Sequence, residues 1–382
     1  MNNLVKMVNQ KSLYISLCFI IFYGMYSINC LNSEIDHYFD LAKNGSYPGD
    51  SRIKTGTTLP VYTQRTSFLY YSRKLVSESI VWDTLYMGTV KNLHDIISDK
   101  KVSLQIWENH NPEKFEEELQ KYIPYHCSDP SECDLEEDKI YVFKPSGGAN
   151  GKGLTFAKGK DMMYYTTGYE SWVIQEFINP FLYNDRKTHL RVLSLVIVRS
   201  NGTREFYLYN QMKLLYAPMK YEEDLLFDDD FISSKKSEQM LVTNLRVSRE
   251  LFHRDPFNKN KKFDNWSVVL DSKEVLDPYV YDEQLKGVYD LHNSMYNVFG
   301  DMFECTPTDI SIDDGCFHIL ASDVAVSADL KPYLLEVNAA MGIKGLWKPE
   351  EIYEFSGGAS DIIGNDNNPF EGEHTDKWME LV

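Results

Sequence analysis

The stretch Ile140-Tyr141-Val142-Phe143-Lys144-Pro145-Ser146-Gly147-Gly148-Ala149-Asn150-Gly151-Lys152-Gly153-Leu154-Thr155-Phe156 decides the fold. A β-branched and aromatic run ends in Lys-Pro, gives way to a glycine-rich segment, and resumes as a second strand-like run. Gly147, Gly148, Gly151 and Gly153 free the segment to adopt positive φ and to present backbone N–H groups. The glycines join strand to strand. Phosphate loops of nucleotide hydrolases and dinucleotide fingerprints both need a helix N-terminus after their glycines, so neither applies. A hairpin flap closing over phosphates fits, and so does an ordinary flexible hairpin. Lys144 at the root favours the flap, because a cation there neutralises a phosphate. Lys152 at the tip offers a second such cation, but taken alone it reads better as a solvated charge.

Working outward, Trp172–Ile178 is a strand. Leu190–Val198 and Arg204–Tyr216 flank Asn201-Gly202, a strong hairpin signal. Helices are predicted over Thr84–Ser98, Pro112–Tyr122 and Tyr281–Phe299. The last carries Leu285, Val288, Leu291, Met295 and Phe299 on a helical repeat. Residues 219–239 lack periodicity and read as a long surface loop. Phe317–Val326 and Tyr333–Val337 are strands, and the chain from Glu350 is polar with weak helix signals. Strands, hairpins and helices mixed in this way predict an α+β fold rather than a doubly wound parallel sheet.

Two of those strands carry acids among apolar residues, Asp323 beside Val324 and Glu336 between Leu335 and Val337, with Asn338 following. Buried carboxylates are costly unless a cation meets them. Two carboxylates and an amide oxygen form a hard donor set suited to Mg²⁺. Each acid alone also reads as an outward-facing strand residue. Between flap and acids, Lys187, His189 and Arg191 alternate onto one strand face, an anion-binding wall. Lys213 is a candidate for the same wall, and His189 fits a satisfied buried histidine as well.

The 382-residue chain is 43% hydrophobic and 25% charged, with net charge −18. This composition excludes whole-chain disorder and a multi-span membrane protein. The acidity disfavours nucleic acid and anionic membrane surfaces as partners. Lys6 and Lys11 precede a charge-free stretch, Ser12–Ser33, which reads as a signal peptide, as an uncleaved anchor, or as a buried helix of a cytoplasmic protein. Cys127/Cys133 and Cys305/Cys316 form two local pairs, fitting short-loop disulfides or reduced thiols, without zinc spacing. Asn44, Asn201 and Asn265 each begin an N-x-[ST] sequon, a number that an Asn-rich chain reaches by chance.

In their order, these motifs resemble the tubulin–tyrosine ligase family, a branch of the ATP-grasp ligases. The resemblance runs from about 140 to 345. It rests on Phe143–Gly153, Val173–Pro180, Lys187–Arg191, Leu241–Asn244, Lys213, Phe317–Val324 and Leu334–Asn338. It implies an ATP-dependent carboxylate–amine ligase that activates a carboxylate as an acyl phosphate and forms an amide, adding an amino acid to a protein or peptide. ATP would be held by Lys144, Lys187 and Thr243 under the flap glycines Gly148, Gly151 and Gly153 with Lys152. Gln175 and the backbone of Glu176, Phe177 and Ile178 would read adenine. Asp323, Glu336 and Asn338 would bind Mg²⁺, while Arg191, Lys213, Asn244 and His189 would serve catalysis. His189 stands where the family usually has Asp, as in fungal and algal members, and Lys213 where it has Arg. Both changes fall on the acceptor pocket. They motivate a second reading, a nucleotide-binding pseudoenzyme or secreted binding module. Net charge −18 and a secretory leader disfavour tubulin itself as acceptor.

The expected organisation is a leader or anchor over 1–30, an N-terminal subdomain over 31–135, a central flap-bearing subdomain over 136–178, a metal-bearing subdomain over 179–349 and a polar tail over 350–382. The expected location is the secretory pathway or a membrane anchor, with the cytoplasm as alternative.

Overall fold

The computed structural model describes residues 90–91, 96–97, 100–146, 153–199, 201–254, 256–258, 261, 269–305, 316–339, 346–364 and 375–381. All of them belong to one compact unit, Thr58–Val382. The leader segment, the flap-tip residues Gly148, Gly151 and Lys152, and the sequons at Asn44 and Asn265 lie outside the described residues. Among the described residues no helix is long and apolar enough to cross a membrane.

Strands in chain order are β1 (Val90–Lys91), β2 (His126–Cys127), β3 (Ile140–Pro145), β4 (Thr155–Lys158), β5 (Trp172–Glu176), β6 (Leu182–Tyr183) and β7 (Arg186–Val198). There follow β8 (Arg204–Tyr209), β9 (Lys213–Tyr216), β10 (Val269–Asp271), β11 (Glu304–Cys305), β12 (Cys316–Val326), β13 (Pro332–Asn338) and β14 (Trp378–Leu381). Three longer helices matter to the site: α1 (Lys100–His110), α2 (Pro278–Phe299) and α3 (Pro349–Gly364). The fold is α+β, with antiparallel pairing in both main sheets.

The smaller sheet runs β2-β5-β3-β4. Its strands are apolar on both faces because both are covered. Tyr141, Phe143, Trp172 and Ile174 pack with Cys127 and Met162 on one side. Ile140, Val142 and Phe156 meet Leu226, Met240, Leu241 and Val242 on the other. Burial of each large side chain contributes roughly 1.5–3 kcal/mol. The flap glycines do join two antiparallel strands, β3 and β4. Gly153 sits at φ +76°, and a Cβ there would meet Pro145 Cγ at 2.9 Å, so the flap root demands glycine.

The larger sheet runs β10-β9-β7-β12-β13, with β8 and β6 also on β7 and β14 on β8. Asn201-Gly202 does turn a hairpin, but the predicted strand Arg204–Tyr216 is broken. β8 pairs with Ser194–Val198 and β9 with Thr188–Arg191, along the same edge of β7. At the break, Asn210 N–H donates to Lys377 O, and Met212 O accepts from Ser272. The two half-strands thereby acquire different outer neighbours, β14 and β10.

Four further expectations are revised. Within the helix predicted over Thr84–Ser98, Val90–Lys91 is strand, paired with Glu304–Cys305. The helix over Pro112–Tyr122 is present but passes through a π turn at Phe115–Leu119. The presumed loop 219–239 holds short helices at Glu223–Phe227, Asp229–Ile232 and Lys235–Leu241, capped by Asp228 and Ser234 side chains. They bury Leu226, Ile232 and Met240 one turn at a time, which leaves no continuous period to read. The segment from 350 contains most of α3, and β14 extends the large sheet. The four described cysteines form two disulfides, Cys127–Cys133 and Cys305–Cys316, with Cα–Cα separations of 5.3 and 5.6 Å.

Candidate active site

Strand register assembles the site. Asp271 of β10 lies opposite Lys213 of β9, which lies opposite Arg191 of β7. Arg191 lies opposite Asp323 of β12, which lies opposite Glu336 of β13. Directly opposed residues in antiparallel strands share a sheet face. One line of ionisable groups therefore crosses five strands in the order acid, cation, cation, acid, acid. Lys187 and His189 extend it along β7, and Asn338 extends it along β13, two residues on and on the same face.

Within the row, Arg191 Nη1 donates to Asp323 Oδ1 at 2.7 Å, and His189 Nε2 lies 3.5 Å from the same oxygen. Burial alone would raise the Asp323 pKa, but Arg191 and His189 outweigh it and hold the carboxyl well below its ordinary value. The other ring nitrogen of His189 meets Thr243 Oγ1 at 2.5 Å. Thr243 comes from the turn after Lys235–Leu241, so the chain Thr243–His189–Asp323 ties that turn to the acidic end of the row. Asn244 begins the next helix, its Oδ1 accepting from Arg246 N–H at 2.9 Å.

The smaller sheet brings Lys144 to this row. Lys144 Nζ donates to the side-chain carbonyl of Gln175, on the adjacent strand β5. Desolvation lowers the Lys144 pKa to about 8, opposed by the fields of Glu336 and Asp323 and reinforced by Lys100 and Lys187. Desolvation likewise lowers Lys187 to about 8. Neither lysine has a carboxylate within ion-pair distance among the described residues. Lys187 Nζ lies 5.8 Å from the centroid of the Phe177 ring. Phe177 N–H is spent on Ile140 O and Glu176 N–H on Tyr125 O, while the Glu176 carboxylate pairs with Lys139 at 3.0 Å. Ile178 is half-buried.

Lys213 is different. It is 2% exposed, bonded to Glu351 of α3, 3.5 Å from Asp271 and 5.0 Å from the centroid of the Trp347 ring. Glu351 also accepts from Lys348 N–H at 2.6 Å. The sequence-predicted residues Lys144, Gln175, Lys187, His189, Arg191, Thr243, Asp323, Glu336 and Asn338 thus converge, whereas Lys213 is enclosed by carboxylates at the far end of the row.

Sequence reasoning missed several partners. Lys100, at the start of α1, sits 3.2 Å from Glu336 Oε2. His126 is opposite Gln175 on β2, its Nδ1–H donating to Pro124 O, and its pKa is lowered chiefly by burial. Asp271 and Glu351 are the acids on Lys213. None lies in a local motif, so only an eye for lone charges beside apolar runs could have marked them.

The acidic end fits a hard cation. Asp323 and Glu336 are opposed and Asn338 Nδ2 lies 3.2 Å from Glu336 Oε1; a cation here would compete with Lys100 for Glu336 and with Arg191 for Asp323. The donors are oxygens, as Mg²⁺ prefers. Among the described residues no three His, Cys, Asp or Glu side chains gather as a metal site. The set here is two carboxylates and an amide.

Lys144, at the root of a glycine-rich connection between two antiparallel strands, and the opposed acids Asp323 and Glu336 of the second antiparallel sheet thus belong to one site. The tubulin-tyrosine ligase family model matches residues 89–340, and the chain belongs to that family. It is similar to the probable tubulin polyglutamylase ttll-9 of Caenorhabditis elegans, 26% identical over 53% of this chain and 46% of that one. It is also similar to human tubulin polyglutamylase TTLL6, 26% identical over 53% of this chain and 22% of that one. The chain spans less than half the length of these relatives. The C-terminal domain of K. lactis Pby1, described as an ATP-grasp enzyme interacting with the mRNA decapping enzyme Dcp2, is a similar solved structure. It is 15% identical at a TM-score of 0.38, covering 84% of this chain and 76% of that one, a likeness too low to carry an argument.

Proposed function

We propose that the protein is an ATP-dependent carboxylate–amine ligase that adds an amino acid to a protein or peptide acceptor. The observation that carries this reading is the five-strand charge row, with Lys144 near its acidic end and Lys187, beside Lys144, on the central strand β7. Lys144 and Lys187 bind the phosphates, whose negative charge raises the pKa of both amines. Gln175 and the chain leaving β5, Glu176 to Ile178, hold the adenine. Asp323, Glu336 and Asn338 hold Mg²⁺, which neutralises charge on the triphosphate when bound.

Arg191, fixed by Asp323, steadies the transferred phosphoryl group and the acceptor carboxylate. A carboxylate oxygen attacks the γ-phosphorus. An O–P bond forms, the bond to the ADP oxygen breaks, and ADP leaves with the electron pair. The amine nitrogen then attacks the acyl carbon, phosphate departs with the C–O electrons, and the amine proton passes to solvent or a base.

The relatives named above are tubulin polyglutamylases. At net charge −18 this protein is poorly matched to an acidic tail, which favours a less acidic acceptor. A second reading, a nucleotide-binding pseudoenzyme, is favoured by one observation: Lys213 is already neutralised by Glu351 and Asp271.

Hydroxylamine trapping separates the two. The ligase yields hydroxamate from a glutamyl peptide or other acid in the presence of ATP and Mg²⁺, and Glu336→Gln lowers the yield at least about 100-fold with circular dichroism unchanged. Mg-dependent ATP binding with no hydroxamate across candidate acids selects the pseudoenzyme. Absence of ATP binding sinks both.

A further inference from the structure

Of the three sequons, Asn201-Gly202-Thr203 is the one inside the described residues, and its surroundings give it a meaning that composition alone did not. All three residues are exposed. They form the tip of the β7–β8 hairpin, where Gly202 N–H donates to Arg199 O at 2.9 Å and Arg199 N–H to Thr203 O at 2.8 Å. Gly202 takes φ +84° with nothing within 4 Å of an added Cβ. Thr203 N–H donates to Asn201 Oδ1 at 2.8 Å, which fixes the asparagine side chain by its oxygen. Asn201 Nδ2, the atom that glycosylation modifies, has no partner among the described residues.

A second, independent observation concerns the cysteines. All four described cysteines are paired, both pairs closing short loops, a usage typical of oxidising compartments. One pair lies at the same end of the sheet. Cys316 is opposite Val198, and Cys305 Sγ lies 3.6 Å from Val198 O.

We propose that the protein passes through an oxidising, glycosylating compartment, and that Asn201 carries an N-linked glycan there. Asn201 Nδ2 forms a bond to the anomeric carbon of an oligosaccharide carried on a lipid diphosphate. The carbon–oxygen bond to the diphosphate breaks, the lipid diphosphate leaves with the electron pair, and the Nδ2 proton goes to the transferase's base. The glycan does not crowd the charge row, because seven residues of strand at about 3.3 Å each put Val198, the end of β7 before the turn, some 23 Å from Arg191. A lumenal ligase also has an acceptor class, proteins of the secretory route. That corollary rests on the ligase reading; the glycan itself does not.

The test is peptide mapping of the full chain, with its own N-terminus, made in a eukaryotic cell. Treatment with a peptide amidase specific for N-glycans, in heavy-oxygen water, should convert Asn201 to labelled aspartate and shift the peptide that contains it down by one glycan. Asn201→Gln and Thr203→Ala should each abolish that shift, the second with the asparagine still present. Alkylation before reduction should leave Cys127, Cys133, Cys305 and Cys316 unmodified. Unlabelled Asn201 overturns the proposal, and so does alkylation of those cysteines without reductant. Asn201→Gln should leave hydroxamate yield unchanged. Loss of the glycan label from a protein that still ligates, or retention of the label on one that does not, tells the two readings apart.

Discussion

The two ends of the charge row treat their cations in opposite ways. At one end Lys213 is enclosed by Glu351 and Asp271 and lies against Trp347. Lys144 and Lys187, by contrast, are half-buried, have no carboxylate at ion-pair distance among the described residues, and both fall to about 8. A buried cation with its counter-charge supplied by the protein is a structural part. One left short of counter-charge is waiting for charge from outside. The difference is a way to tell binding residues from scaffold within a single sheet face.

The sharpest break of this comparison is a pair of isosteric substitutions. Lys213→Met leaves Glu351 and Asp271 buried without their cation and should destabilise the fold by about 3–5 kcal/mol in urea unfolding. Lys187→Met removes an uncompensated charge and should stabilise the free protein by about 1 kcal/mol, while weakening ATP binding on the order of 100-fold in calorimetry. Equal effects of the two on stability would erase the distinction.

A smaller effect follows from pH. Lys144 and Lys187 titrate near 8 in the native state and near the ordinary 10.5 when unfolded. Below pH 8 both states carry the charges and the native state bears the full cost. Between about 8 and 10.5 the native state releases its protons first, the unfolded state binds more, and stability rises with pH. Unfolding of the ligand-free protein should show that rise, and ATP affinity should fall over the same window. A flat stability profile in Lys144→Met/Lys187→Met would assign the rise to these two residues. The smallest effect belongs to Glu351→Gln. Asp271 remains to neutralise Lys213, so the loss should be about 1–2 kcal/mol by thermal unfolding.

Much of the site was legible in the sequence because its parts announce themselves locally. Lys144 stands at the root of a glycine run, Asp323 and Glu336 interrupt apolar strands, and Lys187, His189 and Arg191 alternate along one strand. Lys100, His126, Asp271 and Glu351 were not legible. They reach the site from a helix start, an edge strand, a strand end and a helix's first turn, and only tertiary pairing gives them meaning. In the fold, the flap hairpin and the Asn201-Gly202 turn were readable from turn chemistry. Helix α3 was masked by Gly357 and Gly358 in its interior, which cost helix propensity that packing of Phe355, Ala359 and Ile362 restores. The short helices before Asn244 were hidden because caps, not periodicity, define them.

The charge row also sets what kinds of genetic change this molecule tolerates. Its members come from separate strands and meet only because every strand is in step with its neighbour. Inserting or deleting one codon inside β7 would turn the side chains beyond it to the opposite face, taking Arg191 from both Asp323 and Lys213 in a single event. The same change at the 199–203 tip would merely lengthen or shorten a turn. Length variation should therefore collect at the hairpin ends and be absent from the strand interiors, a pattern that deep sequencing of a codon-deletion library would reveal without any assay of chemistry.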